Sequence, residues 1–170
     1  MRRAQTEEYL EFARTRTGPL YRSACLLTSG DTHLAEDLVQ ETLGRMYVVW
    51  GRRATVGNPA AYARTVLVRT FLTHHRRRSS SERPTAEPPE PLPSPAPGDA
   101  SLRVTLLEAL GQLSPKDRAV LVLRYWEDRS TEETATALGV SSGAVRTRST
   151  RALERLRTAL GDQLPGLIEH

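Results

Sequence analysis

The chain has 170 residues, 38% apolar and 5% aromatic, and a net charge of +4; that bounds it to one ordinary domain or two small helical ones and permits nucleic acid as a partner. No apolar run approaches the ~20 residues of a membrane span, and the opening MRRAQTEEYLEFAR has no continuous hydrophobic stretch after its arginines, so no membrane, no secretory signal and a cytoplasmic location are expected. Cys25 is the single cysteine, which excludes an intrachain disulfide and a cysteine zinc cluster and suits a small buried apolar residue.

In chain order, apolar periodicity predicts helices over 5–28, 32–50 and 59–77. Gly18-Pro19 marks a point at which the first bends or breaks. In the second, Leu34, Leu38, Thr42, Met46 and Val49 share one face, while Glu36, Asp37, Gln40 and Glu41 share the opposite one. A solvated acidic face is the plain reading of such a helix taken alone. The same half, however, carries the basic stretch ARTVLVRTFLTHHRRR, so it presents one surface unsuited to DNA and one suited to it. Two different partners account for both.

The connector GRRATVGNP ends at Asn58, with Pro59 placed as the first residue of the third helix. His74 and His75 diverge by ~100° on a helix with no other His or Cys close by in the sequence, so no metal is expected. No cofactor motif and no catalytic constellation are visible either, neither a glycine-rich phosphate loop nor a nucleophile elbow.

Residues 79–100 hold seven of the eleven prolines and a local charge of −3. They are expected to form an extended linker, whose 22 residues at ~3.1 Å each reach about 70 Å. That divides the chain into 1–78, the linker 79–100, and 101–170.

Beyond the linker, helices are predicted over 101–112, 115–127, 131–138 and 142–160. Ser114-Pro-Lys-Asp117 and Ser130-Thr-Glu-Glu133 both have the spacing of a capping box. Trp50 and Trp126 suit core or interface anchors. Nothing alternates with period two, so the fold class is all-α.

The last two helices carry the sharpest pattern. Ala135 is small enough for a close helix crossing, Gly139 suits a left-handed turn, and Val145 fills the angle between helices; this is a helix-turn-helix arrangement. On the second of these helices Val145, Ser149, Ala152, Leu153 and Leu156 fall within an arc of about 100°. Ser142 opens it, and Arg146, Thr147, Thr150 and Arg151 lie outside that stripe, mixing hydroxyls with arginines as close approach to base edges and phosphates requires. Lys116 is the only lysine among 24 basic residues, so an abundance of arginine carries no argument here; position does. Arg155 and Arg157 are assigned to the helix dipole.

AEDLVQET, then NPAAYARTVLVRTFLTHHRRR, a linker, and ALGQLSPKDRAVLVLRYWEDRSTEETATALGVSSGAVRTRSTRALERLR together resemble an extracytoplasmic-function sigma factor, of an actinobacterial subgroup, over roughly residues 6–160. The resemblance implies two small helical domains: region 2 before the linker, region 4 after it. It also implies a non-catalytic subunit of bacterial RNA polymerase, with promoter DNA and core enzyme as partners and an anti-sigma factor as a further one. By position, Glu36, Asp37, Gln40 and Glu41 match the helix that docks on the β′ clamp helices, and region 4 implies a contact with the β flap. Asn58, Tyr62, Arg64, Arg69, Arg76 and Arg77 match the element that reads and melts the −10 region. Arg69 departs from the Asn of many relatives. Ser142, Arg146, Thr147, Thr150 and Arg151 match the helix that reads the −35 element, and the linker would span the interval between the two. A self-sufficient helix-turn-helix repressor or activator is the rival reading, and a small enzyme with a DNA-binding appendage a third.

Overall fold

The computed structural model describes residues 2–52, 57–80 and 99–161, with the backbone alone for 79, 80, 99, 100 and 102. The described residues form helices α1 (Arg3–Leu27), α2 (Thr32–Trp50), α3 (Pro59–Ser80), α4 (Asp99–Gly111), α5 (Pro115–Leu121), α6 (Thr131–Leu138) and α7 (Ser142–Leu160), with a π-helical turn, Val122–Trp126, after α5. No strand occurs among them. The expected all-α class is what the chain adopts.

In the N-terminal half α1, α2 and α3 pack around Leu27, Leu38, Met46, Leu67 and Phe71, each almost fully buried. Trp50 closes one end, tilted against Phe12 at 4.9 Å and edge-on to Tyr9 at 5.7 Å. Cys25 is buried in this core, where desolvation raises its thiol pKa. The predicted faces of α2 are as expected: Leu38, Thr42 and Met46 are buried, and Glu36, Asp37, Gln40 and Glu41 are exposed.

Three expectations need correction. First, α1 runs through Pro19 without a break. The residue before the proline is glycine, which has no Cβ for the pyrrolidine ring to meet, and burial of Leu20, Ala24 and Leu27 holds the next turns down. Second, the predicted helix 115–127 is regular only to Leu121; Glu127 N–H donates to the Val122 carbonyl, five residues back, at 2.8 Å. Third, Ser80 and Asp99 belong to α3 and α4, so helix enters both ends of the expected linker; 81–98 lie outside the described residues.

The capping boxes also divide. Ser130 and Glu133 make both reciprocal bonds, and these lower the Glu133 pKa. Ser114 Oγ accepts from Asp117 N–H at 3.2 Å, but the Asp117 carboxylate turns to α7 instead.

The two halves are not held apart. Ala119, Val122, Leu123 and Ala137 from the C-terminal half join the cluster that contains Phe71, Leu67 and Leu27. Arg118 is buried over the Phe71 ring, 5.5 Å from its centroid.

Candidate nucleic-acid interface

The helix-turn-helix forms as its residues require. Gly139 ends α6 in the left-handed region, φ 68°, where an L side chain is strained. Ser141 Oγ then caps α7 by accepting from Ala144 N–H at 3.1 Å. Val145, 1% exposed, packs with Val120 and Ala135 in the angle between α6 and α7. Ser149 and Ala152 continue the buried stripe.

Outside that stripe Arg146, Thr147, Thr150 and Arg151 are all exposed, and Ser142 is half-buried at the first position of α7. The structure therefore brings the five expected −35 residues to one accessible helix. Arg146 reaches back to Glu132 of α6 at 3.5 Å, a surface pair worth little energy.

Sequence reasoning missed a buried carboxylate under this helix. Asp117, 5% exposed at its side chain, binds Arg148 Nη1 at 3.0 Å through one oxygen and Arg155 Nη1 at 3.1 Å through the other. Arg155 is thus an ion-pair partner rather than a dipole complement, and only Arg157 lies in the last turn. Arg148, Arg151 and Arg155, at spacings of three and four, line with Thr147 a hollow of about 410 Å³ floored by Ser114 and Asp117. That i, i+3, i+7 spacing on one flank was the available signal.

In the N-terminal half Asn58 caps α3: its Oδ1 accepts from Ala61 N–H at 3.2 Å. Tyr62 is exposed and, with Arg45, Val48, Val49, Val66 and Arg69, lines a hollow of about 330 Å³ between α2 and α3. It has apolar walls and an arginine on each side, dimensions and chemistry that suit an unstacked base. Arg76 and Arg77 are exposed near the end of α3.

Arg64 and Arg69 are placed otherwise than expected. Arg64 Nε pairs with Glu127 at 2.8 Å, and Arg69 Nε donates to the Ala137 carbonyl at 2.8 Å. Both point at the C-terminal half. On α2 the acidic Glu36, Asp37 and Glu41 and the neutral Gln40 are exposed, with Glu41 paired to Arg45 at 2.9 Å.

Comparison with known proteins agrees with this geometry. Sigma-70 region 2 matches residues 14–81, and Sigma-70, region 4 matches residues 109–158. The chain is 42% identical over 153 residues to the RNA polymerase sigma-E factor of Streptomyces coelicolor, covering 90% of this chain and 86% of that one. It is 35% identical over 151 residues to the ECF RNA polymerase sigma factor SigL of Mycobacterium tuberculosis, covering 83% and 82%. Its fold is similar to that of the sigma factor RpoE solved in complex with the anti-sigma factor NepR from Bartonella quintana, with a TM-score of 0.68 at 23% identity over 91% of this chain and 97% of that one. With both family regions matched and relatives of this identity and coverage, this chain belongs to the extracytoplasmic-function group of the sigma-70 family of RNA polymerase sigma factors.

Proposed function

We propose that this sigma factor divides its work among three surfaces of named residues. As a sigma factor it is a non-catalytic specificity subunit that binds core RNA polymerase and directs transcription initiation at promoters. The recognition helix α7 reads the −35 element through Arg146, Thr147, Thr150 and Arg151, with Ser142 at its start. The groove between α2 and α3 takes the −10 strand: Tyr62 offers a stacking surface, Asn58 at the start of α3 contacts the strand, and Arg64, Arg69, Arg76 and Arg77 track phosphates. The ridge of Glu36, Asp37, Gln40 and Glu41 meets the basic clamp helices of the β′ subunit, where charge sets register and on-rate more than affinity.

The observation that carries this reading is α7 itself. Arg146, Thr147, Thr150 and Arg151 stand exposed on it while Val145, Ser149 and Ala152 are buried beneath. The matched ranges, 14–81 and 109–158, support a division into a region 2 that runs to the end of α3 and a region 4 that follows residues 81–98. Contact of region 4 with the β flap and residence in the cytoplasm, on the nucleoid when polymerase is bound, complete the reading. No described helix is long and apolar enough to cross a membrane. An anti-sigma protein would seat an apolar side chain in the hollow of about 190 Å³ lined by Leu26, Leu110, Tyr125, Trp126 and Leu156; Trp126 is 54% exposed there, a rim residue rather than a core anchor.

The test is promoter selection from a genomic fragment library by purified chain with and without core polymerase. Selective binding only with core enzyme is expected; full selectivity by the isolated chain on a palindromic site favours the repressor reading. Arg151→Ala in the holoenzyme is expected to cost on the order of 1–3 kcal/mol of discrimination at one −35 position. An equal loss on every sequence assigns Arg151 to a phosphate.

A further inference from the structure

One flank of α7 is built around a buried acid. Arg148, Arg151 and Arg155 fall within about 60° of arc on the helix, and guanidiniums so close repel one another. Asp117 of α5 offsets that repulsion. Its side chain is 5% exposed; one oxygen accepts from Arg148 Nη1 at 3.0 Å and the other from Arg155 Nη1 at 3.1 Å. Ser114 and Thr147 complete the hollow of about 410 Å³ above it, and Asp117 is the only acidic residue among its described walls. Three arginines against one carboxylate leave the hollow a formal charge of +2.

A carboxylate that served stability alone would be satisfied by a single arginine in bidentate geometry. Here each oxygen takes a different guanidinium, drawn from positions two turns and roughly 10 Å apart along α7. The two arginine side chains remain 41% and 63% exposed. Each uses Nη1 on the acid and keeps further N–H donors for a ligand. Gly143 and Ala144, small residues in the first turn of α7, also line the hollow and put no bulky side chain in the way of one. An arginine already held by a carboxylate loses less freedom when it binds.

We propose that Arg148 and Arg155 hold one backbone phosphate of the promoter duplex beside the −35 bases, and that Asp117 is the positioning residue that aims them. This rests on the reading of α7 as the −35 helix and adds to it three residues outside the base-reading set. A phosphate contact carries no sequence information but fixes register; this one sets how Arg146, Thr147, Thr150 and Arg151 meet the base edges. Asp117 thus lowers the general attraction of the helix for DNA and sharpens its placement. Asp117→Asn raises the charge of the hollow, so it is expected to bind a scrambled duplex no more weakly than wild type while losing the aimed contact.

The experiment measures holoenzyme binding to a selected promoter in which each phosphate around the −35 element is replaced in turn by a neutral methylphosphonate. Wild type is expected to lose about tenfold at one position, the scale of a charge-assisted hydrogen bond. Arg148→Gln/Arg155→Gln is expected to lose nothing further there, and its plot of log affinity against log salt to be shallower by about 0.9. The penalty should vanish in Asp117→Asn and return in Asp117→Glu. Equal penalties in wild type and the double arginine variant at every position overturn the phosphate grip. A full penalty in a folded Asp117→Asn overturns the positioning role. Saturable binding of inorganic phosphate by the chain alone, abolished in the double variant, assigns the hollow to a free anion and overturns the DNA assignment. Base-pair substitutions on the same duplex test the underlying reading: dependence on bases without dependence on any phosphate refutes the grip alone, and dependence on neither refutes α7 as the −35 helix.

Discussion

Asp117→Asn is the perturbation that most directly separates structure from recognition in the C-terminal half. The native carboxylate is 5% exposed and holds Arg148 at 3.0 Å and Arg155 at 3.1 Å, whose side chains are 41% and 63% exposed. Each pair is thus screened on its arginine side, and about 0.5 kcal/mol apiece is the surface-pair scale. The asparagine amide adds a cost: it turns a donor toward a guanidinium that has only donors, leaving a buried group unpaired at about 1 kcal/mol. The expected loss is about 1–2 kcal/mol, or a urea midpoint lower by roughly 0.5–1 M with an unchanged slope. In the holoenzyme the same change is expected to lower the preference for a selected promoter over a scrambled −35 duplex, since Arg148 and Arg155 flank Arg151 and lose their fixed orientation. Asp117→Glu, which keeps the charge, should recover part of both. An unchanged midpoint with an unchanged preference refutes the reasoning. A lower midpoint with intact preference makes the ion pairs purely structural.

Acid is expected to destabilise the chain before carboxylates titrate. Burial, then Arg118, His74 and Arg78, lower the His75 pKa from 6.5 to about 4. The unfolded chain therefore binds the extra proton first, so stability is full above pH 6.5 and falls as pH drops toward 4. Solvent reaches this half-buried ring, which limits the loss to about 1 kcal/mol; urea midpoints in His75→Gln that keep the wild-type slope with pH would contradict it. Gly139→Ala meets no atom within 4 Å of the added Cβ, yet φ is +68°. Its cost, about 1 kcal/mol by denaturation, is then pure backbone strain, and Gly139→Asn should lose less. Asp37→Lys with Glu41→Lys should abolish pull-down of core polymerase. The fold should move by no more than about 0.5 kcal/mol, because the pair to break there is the exposed Glu41–Arg45 contact; retained pull-down removes the ridge from the docking surface.

Helices were legible in the sequence because their signals are local. The 3.6-residue stripe of Val145, Ser149 and Ala152, the reciprocal Ser130–Glu133 cap and the left-handed Gly139 act within a few residues, and α6 and α7 occupy the spans that those signals predict. The acidic face of α2 and the exposed face of α7 follow from the same periodicity. Two local signals still misled. Pro19 sits inside a helix held by its neighbours, and the cap spacing at Ser114 left open where the Asp117 carboxylate points.

Tertiary structure alone decided what the arginines do. Arg148 and Arg155 resemble solvated residues until α5 places Asp117 beneath them. Arg64 and Arg69 match a nucleic-acid surface by position, yet their partners Glu127 and Ala137 stand more than 60 residues away, since the Arg69–Ala137 separation is 68. Such pairings depend on a π-helical turn and on how two apolar faces meet, energies that no window of the chain contains. The composition of each surface was written locally; its availability is a property of the packed halves.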